Sequence, residues 1–194
     1  MTFAPAIQHL DETLFRFINT NLGNSFFDFV LIPARDENFW LPFYVLLAAF
    51  FVWKFRWRSV FIIGMFLLNV TASDQISSAV IKPAVNRVRP CNDSAFREEV
   101  ILRIEHCGAG KSFTSSHAAN TFAFAMLMHF LFGKKSRWVT PLTFSWATTV
   151  SFAQVYVGVH YPIDIAAGAL LGISIATLVY LGFQKLLPRV FSKI

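Results

Sequence analysis

Charge is scarce in this chain. Asp, Glu, Lys and Arg make up 14% of its 194 residues and hydrophobic residues 55%, against about 25% charged and roughly 45–50% apolar in an ordinary soluble domain. With a mean hydropathy of +0.52 the composition excludes disorder, which requires low hydrophobicity and high net charge. It also argues against a water-soluble globule, which would have to display too much apolar surface. A membrane is the natural solvent. A basic n-region is missing as well: the opening residues MTFAPAIQHLDETLF contain no Lys or Arg and carry Asp11 and Glu12. They do not read as a cleavable secretory signal and are expected to be retained.

What the chain has instead is long apolar runs. Crossing about 30 Å of hydrocarbon takes roughly 20 predominantly apolar residues in a helix, and five stretches approach this. Residues 138–159 and 163–183 are long and free of ionised groups except Asp164 at the start of the second. Residues 117–132 form a shorter run. Residues 59–81 are interrupted by Asn69, Asp74 and Gln75, as in a spanning helix with one polar face turned into a bundle. Residues 39–53 are the shortest, with Pro42 near the beginning, where proline is tolerated. Ahead of these, Ile7, Leu10, Leu14, Phe15 and Ile18 recur at helical spacing while Gln8, Asp11, Glu12 and Arg16 occupy other faces. That pattern suits a helix lying in the interface; the alternative is a sixth span running on through Phe26 to Ile32. The expected fold is an all-α integral membrane helical bundle of five to six transmembrane helices. It forms one domain over residues 1–194, with residues 1–37 as an N-terminal interfacial segment.

The positive charge is distributed unevenly. The net charge is +6, yet with five spans Lys54, Arg56, Arg58, Lys134, Lys135, Arg137, Lys185, Arg189 and Lys193 all fall on one side, with no acidic residue among them. The positive-inside rule puts that side in the cytoplasm. Topology thus accounts for the basic excess, and no nucleic-acid partner is expected, since no aromatic-basic groove or recognition motif accompanies it. The connection at residues 82–116 then faces outward, and it is longer than a structureless loop usually is. A short helix is expected there, capped by Ser94 and running through Phe96, Val100, Ile101 and Ile104. Cys91 and Cys107, the only cysteines, lie at its two ends. In an extracytoplasmic compartment they are disulfide candidates; the alternative is two reduced thiols.

Three polar clusters sit at the outer helix ends, which converge in a bundle. The first runs from Lys82 to Pro90 with three cations, Lys82, Arg87 and Arg89; alone it would suit a lipid headgroup. The second, residues 108–117, is rich in glycine and hydroxyls and leads into a helix at His117. Free N–H groups and the helix dipole favour an anion there. Gly110-Lys111-Ser112 is not a nucleotide-binding P-loop, because the glycine required five positions earlier is Glu105 and no buried strand precedes it. The third, residues 156–164, contains His160 and Asp164. A carboxylate on one imidazole nitrogen fixes the tautomer and leaves the other as base or nucleophile. Asp74, Ser78 and Lys82 share a helical face. An acidic residue in a span is a functional candidate, the alternative being a structural partner for Lys82 or Asn120. Tyr156, Tyr161 and the tryptophans at 40, 53, 57 and 138 read as interfacial anchors.

Together these segments resemble the three-part signature of the type 2 phosphatidic acid phosphatase superfamily: Lys82 with Arg89-Pro90, then Ser115-Ser116-His117, then His160 with Asp164. The resemblance implies that Lys82, Arg89, Ser115 and Ser116 bind phosphate, that His117 is the general acid, and that His160, oriented by Asp164, is the phosphate-accepting nucleophile. Two positions depart from the pattern. Thr114 and Ser116 replace the usual Pro and Gly of Pro-Ser-Gly-His, and Ala153-Gln154 replaces the usual Ser-Arg. The second change removes a phosphate-binding arginine, a charge that Arg87 or Lys111 would restore. The implied activity is metal-independent, cofactor-free hydrolysis of lipid phosphomonoesters or diphosphates through a phosphohistidine. Undecaprenyl diphosphate is the first substrate, and phosphatidylglycerophosphate or phosphatidic acid the second. The implied partners are the lipid phosphate substrate and membrane lipids, and the implied location is a bacterial inner (plasma) membrane with the site facing the periplasm or exterior. A protein that binds or moves phospholipid headgroups without catalysis is the alternative.

Overall fold

The computed structural model describes residues 4–188, so Arg189 and Lys193 of the basic C-terminal group lie outside the described residues. Helices and turns make up the fold, with no strand among those residues. Helix α1, Pro5–Arg16, runs into a wider π turn at Phe17–Asn21. Its inner face carries Asp11 and Phe15, whereas Ile7, Leu10 and Leu14 point outward. The apolar side is therefore turned to lipid and a carboxylate is turned inward. Helix α2, Ser25–Ala34, is separate from α1 and is capped by Asn24, whose side chain accepts from the Phe27 N–H. At ten residues it is about 15 Å long, half the hydrocarbon thickness.

Helices occur where hydropathy predicts them, with small shifts at their ends. Asp36 caps α3, Glu37–Phe55. Helix α4, Ser59–Gln75, continues through a π segment, Ile76–Ile81, into α5, Lys82–Val85. Helix α6 is Ser116–Phe132, α7 Val139–Tyr156 and α8 Pro162–Leu186. Among the described residues, the continuous stretch Glu37–Val85 and α8 are long and apolar enough by themselves to cross a membrane. Phe29, Leu46, Trp53 and Leu178 are each at least 70% exposed, as expected where the surroundings are hydrocarbon rather than water.

Helix α6 is central, with α4, α7 and α8 packed around it. Phe51, Ile62, Met65, Leu127 and Ala176 form the core at one end. Lipid tails are as apolar as leucine, so close backbone approach rather than hydrophobicity must hold the helices together, and small residues permit it. Gly168 and Gly172 of α8 lie directly against the backbone of α6, where a methyl group on either would overlap the carbonyl oxygens of Ser115 and Ala119. This seam sets the start of α6 beside the start of α8, and the Ser115 N–H donates to the Asp164 carbonyl at 3.1 Å.

The outer loop departs from its expected form. No helix runs from Ser94 through Ile104; only single 3-10 turns occur, at Pro90–Asn92 and Arg97–Glu99. The apolar residues are claimed individually by different neighbours. Phe96 packs between Phe15 and Tyr161, Ile104 joins the cluster around Leu31 and Tyr156, and Asn19 holds Ile101 by both its N–H and its carbonyl. Cys91 and Cys107 are bridged, with Cα atoms 5.9 Å apart.

Candidate active site

The bridge ties together two arms of the outer loop, one carrying Arg87 and Arg89 and the other residues 108–112. The Ser112 N–H donates to the Arg87 carbonyl at 2.8 Å, and Arg89 Nε donates to the Gly110 carbonyl at 2.9 Å. Two of the three sequence clusters thereby become one surface. The third arrives through the turn between α7 and α8. Gly158 there has φ +94°, a conformation that disfavours any side chain, and the N–H groups of Val159 and His160 both donate to the Gln154 carbonyl.

Asp164 anchors this assembly. Its carboxylate is fully buried and accepts from the Ser112 hydroxyl at 2.5 Å, the Tyr161 N–H at 2.9 Å and Arg87 at 2.8 Å. One oxygen also lies 3.6 Å from His160 Nδ1, to which the Ser112 hydroxyl comes within 3.4 Å. Nδ1 is therefore occupied on the Asp164 side, and Nε2, on the opposite edge of the ring, faces away from it. Burial pushes the His160 imidazole below its ordinary value of 6.5, with Asp164 opposing. The ring thus stays neutral, as a nucleophile must.

Arg87 has a role that its sequence position did not reveal. It reaches Asp11 of α1 at 2.6 Å while holding Asp164, and its guanidinium stacks 4.0 Å over the Tyr161 ring. Asp11 also accepts from the Ile163 N–H at 2.8 Å. Helix α1 is thus joined to the site through a buried carboxylate pair sharing one arginine. Arg87 is consequently engaged in holding Asp164 and does not stand in for the missing family arginine. Lys111 is exposed and does not enter the site either.

At the start of α6 the Ser115 hydroxyl caps the Ala118 N–H, while the Ser116 hydroxyl is shared with Ser77 at 3.0 Å. Helix geometry leaves the Ser116 and His117 N–H groups without intrahelical partners. The hydrogen bonds Ser115 N–H to Asp164 carbonyl, Ser112 to Asp164, Ser77 to Ser116 and Arg89 to Gly110 draw the three clusters to one end of the bundle. All seven residues expected from the sequence thus converge on one place. Asp74 forms no ion pair with Lys82 among the described residues. Instead it lines a cavity of about 390 Å³ that begins at Ser116 and His117 and descends between α3, α4, α6 and α7 past Tyr44, Phe66, Phe124 and Trp146.

A model of the PAP2 superfamily matches residues 63–188. The chain belongs to the PAP2 superfamily. It sits on that superfamily's membrane lipid-phosphatase branch: it is 30% identical over 188 residues to a lipid A 4'-phosphatase of Bacteroides thetaiotaomicron, covering 96% of this chain and 82% of the relative. An undecaprenyl-diphosphatase of Sulfolobus acidocaldarius is 30% identical over 163 residues, covering 82% and 71%. The crystal structure of a transmembrane PAP2-type phosphatidylglycerolphosphate phosphatase from Bacillus subtilis superposes with TM-score 0.73 at 22% identity, covering 95% of this chain and 89% of that one. That likeness is one of fold.

Within this PAP2 member two expectations about aromatic residues change. Tyr156 and Tyr161 are buried rather than interfacial: the Tyr156 hydroxyl donates to Asp28 at 2.7 Å and Tyr161 packs under Arg87. Trp40 walls the cavity, its Nε1 donating to the Ala34 carbonyl. Trp53, Trp57 and Trp138 are exposed, as anchors would be. Ser77, Ser112, Gln154 and Arg35 also belong to the neighbourhood; Ser112 falls in the hydroxyl-rich second cluster and Gln154 in the third motif, whereas Ser77 and Arg35 carried no signal in the sequence.

Proposed function

We propose that this protein hydrolyses lipid phosphates as a single membrane-embedded domain over residues 1–194, with residues 82–116 as its outward active-site loop. The observation that carries the reading is the His160–Asp164 pair, which commits Nδ1 and leaves Nε2 directed away from the carboxylate, toward a region flanked by His117, Lys82 and Arg89. The phosphoryl group rests among Lys82, Arg89, Ser115 and the N–H groups of Ser116 and His117. His160 Nε2 attacks phosphorus in line. The N–P bond forms as the P–O bond to the lipid breaks, and His117, an imidazolium that the adjoining phosphate charge stabilises, gives its proton to the leaving oxygen. Asp164 stabilises the cation on His160. Water then attacks phosphorus, losing a proton to His117 as the N–P bond breaks. The cations and helix N–H groups stabilise the charge that develops.

The cavity below His117 receives the lipid, and its polar atoms favour one substrate class. Among the described residues Asn120 Oδ1 and Trp146 Nε1 are buried without hydrogen-bond partners, and both side chains line it. Buried polar groups are stable when paired. Asn120 lies about 4.5 Å along the helix from His117, and Trp146 packs against Phe124, about 10.5 Å from His117 along the same axis. An acylated lipid presents ester or amide groups at such depths. A polyprenyl chain presents none, and the second phosphorus of a diphosphate is only one bridging oxygen from the first. We therefore place an acyl-linked lipid phosphate, of the glycerolipid or lipid A kind, ahead of undecaprenyl diphosphate. The basic connections at residues 54–58 and 133–137 lie opposite the site, so the positive-inside rule turns the site outward across a bacterial inner membrane.

The test is phosphate release by purified protein in detergent from a panel containing an acylated phosphomonoester and a polyprenyl diphosphate, with His160→Ala as control. Release from the acylated substrate that His160→Ala abolishes supports the reading. Binding of both lipids without release supports a headgroup receptor instead.

A further inference from the structure

The third motif lacks its arginine, and the structure shows how the position is filled. Gln154 is 1% exposed and its Nε2 has no hydrogen-bond partner among the described residues. Its carbonyl holds the turn that carries His160. The amide can donate a hydrogen bond, but it carries no charge. Arg87 and Lys111 do not supply one, for the reasons given above. Arg35 stands in a different situation.

Arg35 follows α2 and precedes α3 in a tightly held turn. Its own N–H donates to the Leu31 carbonyl, and the adjacent Ala34 carbonyl accepts from Trp40. Its side chain lines the cavity together with Ser116, His117 and Asn120. Among the described residues its Nε is buried without a partner and it makes no ion pair; the neighbouring Asp36 carboxylate is turned to the Asn38 N–H instead. An arginine stays ionised at any relevant pH, and a half-buried cation among other cations is stable only where an anion comes to meet it.

We propose that Arg35 is a further phosphate-binding residue, supplying from the loop between α2 and α3 the positive charge that the third motif leaves out at Gln154. The inference rests on the phosphatase reading. Arg35 lies on the His117 side, so it meets the phosphoryl group from the direction of the leaving oxygen, while Gln154 keeps the hydrogen-bonding function beneath His160. The duty of one arginine is split between an uncharged donor in its usual place and a cation brought by another element.

The test uses the full chain in detergent with a short-chain diacyl phosphomonoester as substrate and inorganic phosphate as competitive inhibitor. Arg35→Gln should lower kcat/KM roughly 10- to 150-fold, the factor corresponding to about 1.5–3 kcal/mol for a hydrogen bond to a charged group, and should weaken phosphate inhibition in parallel. Arg35→Lys should keep most of both. The deciding arm is Arg35→Gln with Gln154→Arg: recovery of both kcat/KM and phosphate inhibition supports charge compensation. Unaltered kinetics in Arg35→Gln would overturn the proposal. So would a loss that Gln154→Arg leaves in place with phosphate inhibition intact, which marks a contact to the lipid body only. If wild type turns over no lipid phosphate, the phosphatase reading fails, whereas the phosphate affinities of wild type and Arg35→Gln, read by calorimetry, still decide whether Arg35 binds the anion.

Discussion

Replacing Arg87 by alanine strikes the point where α1, the loop at residues 82–116 and the His160–Asp164 pair meet. The Asp11 and Asp164 side chains are 3% and 0% exposed, and Arg87 reaches them at 2.6 and 2.8 Å. Removing one member of a buried ion pair strands the other, at a cost of about 3–5 kcal/mol. Here two carboxylates are stranded by one change. Asp164 keeps Ser112 and the Tyr161 N–H on one oxygen but loses Arg87 from the other. If that lost charged hydrogen bond, worth about 1.5–3 kcal/mol, is felt wholly in the positioning of Asp164, kcat falls roughly 10- to 150-fold. Asp11→Ala leaves the Arg87–Asp164 contact in place, so it should lose comparable stability and less activity. The double variant should lose less than the sum of the singles, because both singles break one network. The assay pairs thermal unfolding in detergent with kcat and KM on a short-chain lipid phosphate. An Arg87→Ala protein with wild-type kcat and an unchanged unfolding midpoint would refute the reasoning.

Three further outcomes are expected. Replacing Cys91 and Cys107 by serine opens a loop of sequence separation 16, a loss of around 3 kcal/mol in the chain-entropy model; calorimetry of the variant should show a lower midpoint, and kinetics a raised KM as the two cationic arms part. Burial holds His160 below 6.5, so the neutral nucleophile persists as pH falls, and the acid limb of kcat/KM for the free enzyme should lie below pH 6.5 rather than above it. Gly172→Val drives a side chain into the Ala119 backbone, where overpacking costs about 1–3 kcal/mol; the seam between α6 and α8 should open and activity should fall with stability, whereas Gly182→Val, which meets nothing, should change neither.

Much of this architecture was legible before any coordinates. The helices showed because bilayer thickness imposes one length on apolar runs, and the seven candidate residues could be picked out because they fall in three short segments whose spacing matches the family's. The outer loop misled. Phe96, Ile101 and Ile104 have an amphipathic look, yet each is bound to a different part of the fold, and local periodicity cannot register that. Asp11 lies off the apolar face of the N-terminal helix, where a polar residue is ordinarily turned to water. In a membrane that logic inverts, and a polar residue is the one turned inward. Arg35 had no signature at all, since its contribution depends on a cavity formed by four helices distant in sequence. Gln154 was the exception: a missing charge at a fixed position was visible, although the residue that makes up for it was not.

The central claim is that His160 accepts the phosphoryl group and His117 assists its departure and later its release. Acid-stable phosphate esters and base-stable phosphoramidates are distinguishable, so the decisive measurement is rapid quenching of the enzyme with a lipid phosphate under alkaline conditions, followed by peptide mass spectrometry. The account predicts phosphate on His160, accumulating further when His117→Gln slows hydrolysis of the intermediate and absent in His160→Gln. Full turnover by His160→Gln, or phosphate found on another residue, would contradict it.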